Sequence, residues 1–221
     1  MTQIKICGIT NAEDALCAAG CGADALGFIF YRKSPRYISP IQARQIIRKL
    51  PAGIARIGVF VNESAAEVKR IYELCNLDFI QLHGDESAEY CSCFAPEMLI
   101  KAVALHEEHD LQKSLNYHVA ALLVDSRRGG LYGGTDRKAN WDLALRIKNK
   151  KPLILSGGLN EENIKAALEK VAPQALDINS GVEIKPGRKD HKKIARLCKI
   201  VQSVDFQPDN TPFIFTVRGN R

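Results

Sequence analysis

The chain has 221 residues, 46% of them hydrophobic and 25% charged, a globular balance that excludes intrinsic disorder. Thirty-one Lys and Arg against 25 Asp and Glu leave a formal net charge of +6 at pH 7. This mild excess suits anionic small molecules and falls short of a dedicated nucleic-acid binder. Seven cysteines form no disulfide or zinc pattern. We therefore expect no metal site. No stretch reaches the roughly 20 apolar residues of a membrane span, and we expect a cytoplasmic protein.

Eight strands are predicted, in alternation with helical segments along almost the whole chain. They are short apolar runs, and several, such as ALLV and PLIL, are apolar throughout, which is typical of parallel strands covered by helices. The predicted strands span residues 3–7, 24–30, 56–61, 78–83, 99–104, 120–125, 152–156 and 175–179. Their spacing is that of strand–helix units.

The helices between the strands have recognisable starts. Each of four segments follows a capping side chain or carries proline at its first position: those after Asn11, Ser39, Ser64 and Asn160. Gly20 or Gly22 is expected to end the first helix, because glycine adopts the left-handed conformation most easily. We expect the helix after the fifth strand to be short or irregular, and the last helix to span residues 190–204.

The order of elements predicts an α/β fold, a single (β/α)8 TIM barrel over residues 1–204. An open doubly wound sheet has the same alternation, but it typically opens with a Gly-x-Gly-x-x-Gly fingerprint, which this sequence lacks. Residues 205–221 form a short C-terminal extension in which two prolines exclude a helix. The run FIFTV within it is equally compatible with an extended strap and with a disordered tail.

Polar residues and glycines follow several predicted strands at their carboxyl ends, where the chemistry of (β/α)8 barrels collects. Gly157 and Gly158 follow the seventh strand, and Ser180 and Gly181 follow the eighth. Loops after these two strands form the recurrent phosphate site of the fold, in which backbone N–H groups bind the anion. The sequence therefore predicts a phosphate cradle, with tight turns of no binding role as the alternative.

Cys7, at the end of the first strand, and Asp125, at the end of the sixth, are candidates for acid–base chemistry. Cysteine is often a small buried hydrophobe, but its thiolate can act as a base where positive surroundings, here Lys5 or the start of the first helix, lower its pKa. Asp125 closes an apolar run, where burial can raise the pKa of a carboxyl group and let it donate a proton. The alternatives are a solvated aspartate at the start of a loop and a helix cap. Beside a phosphate site, the pair favours isomerisation of a sugar phosphate.

Arg36 lies in the long loop after the second predicted strand, next to Pro35. A guanidinium group placed there could bind a ligand carboxylate through two parallel hydrogen bonds. The alternative is that Arg36 is one ordinary basic residue among 31.

Eight motifs are distributed over residues 4–204: KICGIT at 5–10, GADALGFIFYRKSPRYIS at 22–39, GVFVN at 58–62, QLHGDE at 81–86, LLVDS at 122–126, YGGT at 132–135, LSGGLN at 155–160 and DINSGVEIKPGRKD at 177–190. In combination they resemble the phosphoribosylanthranilate isomerase family of tryptophan biosynthesis. The resemblance implies a (β/α)8 barrel that catalyses an Amadori rearrangement without a cofactor. The reaction converts N-(5-phosphoribosyl)anthranilate to 1-(2-carboxyphenylamino)-1-deoxyribulose 5-phosphate.

By this resemblance, Cys7 is similar to the general base that removes the sugar C2 proton, and Asp125 to the general acid that protonates the ring oxygen. Arg36 is similar to the residue that holds the anthranilate carboxylate. The phosphate cradle corresponds to Gly157, Gly158, Ser180 and Gly181. Supporting roles fall to His83 and Asp177. The expected partner is a phosphorylated small molecule, with no metal, nucleic acid or membrane, and the expected state is a monomer or homodimer.

Two alternatives remain open from the sequence. The first is another phosphosugar isomerase or epimerase barrel, although such proteins carry metal-ligand histidines or two aspartates where the first strand here offers Cys7. The second is a polyanion-binding protein that uses the basic segment 185–199, whose usual meaning is a solvated helix face. One departure from the family pattern is Asp136, which stands where a glycine is usual.

Overall fold

Eight parallel strands form a closed barrel in the computed structural model, which describes residues 1–125, 140–204 and 213–217. Each strand pairs with the next along the chain, and β1 pairs with β8 to close the barrel. The strands are β1 (Gln3–Ile6), β2 (Ala25–Ile29), β3 (Ala55–Phe60), β4 (Phe79–Leu82), β5 (Leu99–Ala104), β6 (Ala121–Asp125), β7 (Leu153–Leu155) and β8 (Ala175–Ile178). The predicted TIM barrel is confirmed, and each predicted strand end agrees with the observed one to within one residue.

Several polar residues predicted as strand ends lie one position beyond the last paired residue. Their backbone N–H groups nevertheless continue the ladder: Cys7 donates to the Ile178 carbonyl oxygen at 2.8 Å, and Ser156 to that of Val124 at 2.9 Å. His83 does the same on β4, with a 2.8 Å hydrogen bond to Phe60. Cys7, His83 and Ser156 are therefore each anchored at the mouth of the barrel by a backbone hydrogen bond to the neighbouring strand.

Helices alternate with the strands. In the described ranges they are α1 (Ala12–Gly20), α2 (Pro40–Ile47), α3 (Ala65–Cys75), α4 (Ala88–Cys91), α5 (Glu108–Leu115), α6 (Trp141–Lys148), α7 (Ile164–Val171) and α8 (His191–Ser203). The predicted caps are confirmed for α1, α2 and α3, where Asn11, Ser39 and Ser64 accept hydrogen bonds from backbone N–H groups in the first turn. None of these helices is long and apolar enough to cross a membrane.

The helix ends add one correction. α7 begins at Ile164 and not directly after Asn160, because the Asn160 side chain accepts hydrogen bonds from the N–H groups of Glu162 and Asn163 and holds them in a turn. Gly22, which follows α1, has the expected left-handed conformation with a φ angle of +94°. α5 is short, as predicted, and forms a regular helix of eight residues.

The strands separate two apolar layers, one inside the barrel and one between the strands and the helices. They do so because successive side chains of a strand point to opposite faces. On β6, Ala121 and Leu123 belong to the barrel interior, whereas Leu122 and Val124 pack in the layer between strands and helices. The same alternation directs Asp125 toward the interior at the mouth. Residues two positions apart therefore share a face, which places the polar side chains of β1, β4 and β8 in columns inside the barrel.

Residues 213–217 pack against the amino-terminal end of the barrel, opposite the mouth. Ile214 and Phe215 are buried with the interior apolar residues, and the Phe215 ring meets Phe79 edge-on at a centroid distance of 6.1 Å. The Gln3 side chain accepts a hydrogen bond from the Phe215 N–H at 2.9 Å and donates one to its carbonyl oxygen at 3.1 Å. Residues 205–212 and 218–221 lie outside the described residues, as does Asp136.

Candidate active site

A cavity of about 660 Å³, open to solvent, lies at the carboxyl ends of the strands. Its wall is built from β1, β2, β3, β4, β6, β7 and β8 and the residues that follow them. Seven of the nine site residues predicted from the sequence line this cavity: Cys7, His83, Asp125, Gly157, Gly158, Asp177 and Ser180. The other two, Arg36 and Gly181, lie at its edge, as their contacts described below show.

Cys7 stands at the mouth of the barrel with its thiol against β2. Cys7 is buried, and a Cβ on Gly27 would lie only 2.7 Å from the Cys7 Sγ, so that glycine makes the space for the thiol. Burial raises the pKa of Cys7 above its ordinary value of 9.0, against the opposing positive charges of Lys5 and Lys189. Lys5 acts in the direction considered from the sequence, but it does not lower this pKa overall, because lost hydration destabilises the thiolate more than the two ammonium groups stabilise it.

Lys5 is fully buried inside the barrel, two residues before Cys7 and therefore on the same face of β1. Its Nζ lies 2.9 Å from Asp177 Oδ1 and donates a hydrogen bond to Gln81 Oε1 at 2.8 Å. Burial acts to lower the pKa of Lys5, but the Asp177 carboxylate raises it above its ordinary value. The ammonium group of Lys5 therefore remains charged, and the Asp177 carboxylate is its counter-ion.

Asp125 is buried at the end of β6 and contacts the imidazole of His83 from β4. His83 Nε2 and Asp125 Oδ2 are 3.1 Å apart, and His83 Nδ1 lies 2.8 Å from Gln81 Nε2. Because Gln81 also binds Lys5, a continuous chain of hydrogen bonds crosses the barrel from β1 to β6. The structure thus brings the two predicted acid–base residues, Cys7 and Asp125, into one cavity. The hydrogen-bonded chain links Asp125 to Lys5, which lies beside Cys7.

The chain segments that follow β7 and β8 meet at one corner of the mouth. Gly157 and Gly158 have φ angles of 92° and 66°, and the Asn163 side chain donates a hydrogen bond to the Gly158 carbonyl oxygen at 2.8 Å. A Cβ on Gly181 would lie 1.9 Å from the Leu159 carbonyl oxygen. Glycine is therefore required where the two segments touch, and the residues predicted for the phosphate cradle lie together.

Arg36 lies beside Gly8 at the edge of the mouth, and a carboxylate of this chain already binds it. Arg36 donates hydrogen bonds from Nε to Glu183 Oε1 at 2.9 Å and from Nη2 to Oε2 at 2.7 Å. Burial acts to raise the pKa of Glu183, but the Arg36 hydrogen bond and the charge of Lys189 hold it below its ordinary value. A ligand carboxylate would have to bind the other edge of the guanidinium, formed by Nη1 and Nη2.

The basic segment 185–199 does not form one free cationic surface. Three of its cations pair with carboxylates of this chain: Lys189 with Glu183, Arg188 with Glu13 and Arg196 with Glu161. Lys189 is also fully buried, so it is inaccessible to a polyanion. Over the part of the chain that the structure describes, no group of three or more His, Cys, Asp or Glu side chains is arranged to bind a metal ion.

Sequence reasoning missed three residues of the site: Gln81, Glu183 and Lys189. Gln81 carried a usable signal, since it is the single polar residue of an otherwise apolar strand and lies two positions before His83. Glu183 and Lys189 meet because β9 (Glu183–Lys185) pairs antiparallel with β10 (Arg188–Lys189). Nothing in the sequence marks that small hairpin as part of the site.

The fold and the cavity together define a class of protein. A (β/α)8 barrel with a buried thiol, a buried carboxyl group and a glycine-bearing corner at its mouth has the arrangement of an acid–base enzyme acting on a phosphorylated small molecule. The chain matches the family described as N-(5'phosphoribosyl)anthranilate (PRA) isomerase over residues 4–200. It is 53% identical over 202 residues to N-(5'-phosphoribosyl)anthranilate isomerase of Syntrophus aciditrophicus, covering 91% of this chain and 88% of the relative.

Solved structures lead to the same family. Phosphoribosyl anthranilate isomerase from Thermotoga maritima has a TM-score of 0.85 and 42% identity to this chain, covering 92% of it and 100% of the solved chain. The structure of a phosphoribosyl anthranilate isomerase in complex with reduced 1-(o-carboxyphenylamino)-1-deoxyribulose 5-phosphate has a TM-score of 0.82, with 42% identity and the same coverage. The chain belongs to the N-(5'-phosphoribosyl)anthranilate isomerase family, and the resemblance predicted from its motifs is confirmed.

Proposed function

We propose that this chain isomerises N-(5-phosphoribosyl)anthranilate with Cys7 as the general base and Asp125 as the general acid. The observation that carries the proposal is the shared cavity, whose wall includes both side chains and the glycine-bearing corner after β7 and β8. The product is 1-(2-carboxyphenylamino)-1-deoxyribulose 5-phosphate, an intermediate of tryptophan biosynthesis. Proton transfers alone balance the reaction, so it requires no cofactor.

The substrate carries an anion at each end, and the site offers a group for each. The corner formed by Gly157, Gly158, Ser180 and Gly181 binds the phosphate through backbone N–H groups. Arg36 binds the anthranilate carboxylate through its Nη1–Nη2 edge, while Glu183 holds the opposite edge of the guanidinium. The sugar between them is then held over Cys7 and Asp125.

The two proton transfers follow in order. Asp125 protonates the ring oxygen as the bond between this oxygen and C1 breaks, and the nitrogen lone pair forms a cationic C=N bond. Cys7 then removes the C2 proton, and the electron pair of that C–H bond moves toward the nitrogen. The resulting enol tautomerises to the ketone. Because burial raises the pKa of Cys7, the thiol first releases its proton to solvent, and the positive charge of the intermediate favours this ionisation. The thiolate then accepts the C2 proton.

We further infer the setting in which the reaction occurs. Residues 1–204 form the isomerase domain, residues 205–221 are a C-terminal extension, and the chain acts as a monomer or homodimer without nucleic acid or membrane. A reducing, cytoplasmic location is supported by the cysteines, all seven of which are free thiols.

The test follows the loss of anthranilate-type fluorescence when purified protein meets freshly prepared phosphoribosylanthranilate. We expect turnover by the wild type, and a decrease in kcat of about 10²-fold or more for Cys7→Ala and for Asp125→Asn, with phosphate binding nearly unchanged. Absence of turnover by folded wild-type protein would exclude the function. Weaker product binding with unchanged kcat would reassign the two residues to binding.

Arg36→Ala serves as the comparison within the same assay. Because Arg36 binds a part of the substrate that does not react, we expect mainly a higher KM with little change in kcat. An unchanged KM would contradict the contact between Arg36 and the substrate carboxylate.

A further inference from the structure

The hydrogen-bonded chain from Lys5 through Gln81 and His83 to Asp125 lies inside the barrel and fixes the direction of each of its hydrogen bonds. All four residues are buried, and their successive contacts measure 2.8, 2.8 and 3.1 Å. Lys5 is the starting point, because an ammonium group donates hydrogen bonds and cannot accept them.

The Gln81 amide has one orientation that satisfies this contact. Its Oε1 accepts from Lys5, so its Nε2 carries the hydrogens that face His83 Nδ1. The reverse orientation would place the NH2 group against the Lys5 ammonium, donor against donor. His83 Nδ1 must therefore be an acceptor without a proton.

A neutral imidazole has one proton, and if Nδ1 lacks it, Nε2 carries it. The Nε2–H group then donates to Asp125 Oδ2 across the 3.1 Å contact. A proton on both nitrogens would again place two donors face to face at Gln81. The polarity set at Lys5 thus reaches Asp125 through two intervening side chains, Gln81 and His83.

We propose that Lys5, Gln81 and His83 form a positioning relay, which holds His83 as the Nε2–H tautomer and, because Asp125 Oδ2 accepts from His83, places the transferable proton of Asp125 on Oδ1. This inference rests on the acid role proposed above for Asp125. None of the three relay residues gives up a proton, so their contribution is orientation and charge stabilisation.

The relay accounts for the fate of Asp125 during the ring-opening step. Asp125 Oδ1 gives its proton to the ring oxygen, which takes the electron pair of the breaking bond to C1. The carboxylate that remains is already bound through Oδ2 by the His83 N–H group. A donor placed beforehand at the site of developing negative charge requires no reorganisation during the step.

Gln81 is the residue to change, because Lys5 also contacts Asp177 and its loss would disturb both. In Gln81→Glu, a carboxylate of nearly the same shape still accepts from Lys5, but its second oxygen now faces His83 Nδ1 as an acceptor. The substitution therefore reverses the hydrogen bond to His83 without removing packing volume. Gln81→Leu removes the hydrogen bond altogether.

The first measurement is the ¹⁵N NMR spectrum of the imidazole groups near pH 8, with the His83 signals assigned from their loss in His83→Gln. We expect wild-type His83 to carry its proton on Nε2, and Gln81→Glu to move a proton onto Nδ1. A wild-type Nδ1–H tautomer would overturn the relay, whether or not the protein turns over substrate. This readout is independent of the proposed activity.

The second measurement is kinetic. We expect Gln81→Glu to lower kcat by about 10-fold or more while KM changes by less than about 2-fold, since substrate binding is not the property that the relay controls. His83→Gln, which can still present an N–H group near Asp125 Oδ2, should retain more activity than His83→Leu. Wild-type kcat in folded Gln81→Glu, or equal losses in both His83 variants, would overturn the proposal. Full activity of Asp125→Asn would instead exclude the acid role itself and leave the tautomer result standing.

Discussion

Burial and charge act in opposite directions on Cys7. The side chain is surrounded by protein, which raises its pKa, while Lys5 and Lys189 favour the thiolate and Asp177 opposes it. Desolvation dominates, so the thiol is protonated at neutral pH before the substrate binds. A buried, protonated thiol reacts slowly with electrophiles, because the thiolate is the reactive form.

The raised pKa predicts the alkylation behaviour of Cys7. Iodoacetamide reacts with the thiolate, whose fraction grows as pH rises toward a pKa above 9.0. We expect slower labelling of Cys7 than of the exposed Cys93 at pH 7, and a Cys7 rate that still increases above pH 9. Peptide mapping by mass spectrometry measures both sites in one sample. A Cys7 rate that levels off well below pH 9 would contradict the assignment.

Gly27 controls the position of the same thiol. In Gly27→Ala the new Cβ would lie 2.7 Å from Cys7 Sγ and 3.1 Å from Lys5 Cε, so both side chains must move. We expect kcat to fall by about 10²-fold, the effect of a misplacement of about 1 Å.

Gly20→Ala is the matched control, because nothing lies within 4 Å of a Cβ at that position. It should leave both kcat and KM unchanged. Equal kinetics for Gly27→Ala and the wild type would show that the thiol tolerates displacement.

Among the elements, the loop after β4 is stabilised by a buried ion pair. Glu86 accepts hydrogen bonds from the backbone N–H groups of Asn62 at 2.8 Å and Gly84 at 2.9 Å, and pairs with Lys101 of β5 at 3.0 Å. Lys101 also donates to the Gly84 carbonyl oxygen at 2.9 Å. The Glu86 carboxylate therefore links the ends of β3 and β4 to the middle of β5. It does so in the segment that immediately follows His83.

Glu86→Gln should destabilise the protein strongly. The substitution leaves Lys101 buried without its charge partner and turns an amide NH2 toward other donors, and breaking such a pair costs about 3–5 kcal/mol. Urea unfolding monitored by circular dichroism measures the change in the free energy of unfolding. Glu67→Gln, which alters the exposed pair with Arg70 on α3, is the control and should have no measurable effect. Equal stability of the two variants would contradict the structural role of Glu86.

For the whole molecule, residues 213–217 close the end of the barrel that is opposite the candidate active site. Ile214 and Phe215 add apolar surface to an interior cluster that combines alanines such as Ala25 and Ala175 with larger side chains such as Phe79. Both backbone hydrogen bonds of Phe215 go to the Gln3 side chain, which links the segment to the first strand. The segment therefore contributes to stability at a distance from the chemistry.

Phe215→Ala and Phe213→Ala separate this contribution from a general effect of shortening a side chain. Phe215 is 6% exposed and Phe213 is 62% exposed, although the two are only two residues apart. We expect Phe215→Ala to lower the free energy of unfolding by about 1–3 kcal/mol, less than the about 3–5 kcal/mol typical of a core phenylalanine, because the segment can detach. Phe213→Ala should be neutral, and kcat should be unchanged in both. Equal melting temperatures would exclude the packed arrangement.

Local patterns made most of the fold predictable. The strands were found to within one residue because continuous apolar runs such as ALLV lie between clear helix starts. The start of α7 was misplaced because a side chain can bind the backbone either as a helix cap or in a turn, and Asn160 does the latter. The candidates Cys7 and Asp125 followed from one rule, that polar residues at the carboxyl ends of barrel strands face the mouth.

Chain order and periodicity were enough to predict the barrel and the set of strand-end residues, and the motifs carried the resemblance to the family, because all of these depend on neighbours in sequence. The pairing of Arg36 with Glu183, the raised pKa of Cys7 and the relay through Gln81 were decided only by the tertiary structure. Each depends on which groups from distant segments share a water-free space. Burial changes the strength of a charge and the direction of a hydrogen bond, and no property of a single segment records it.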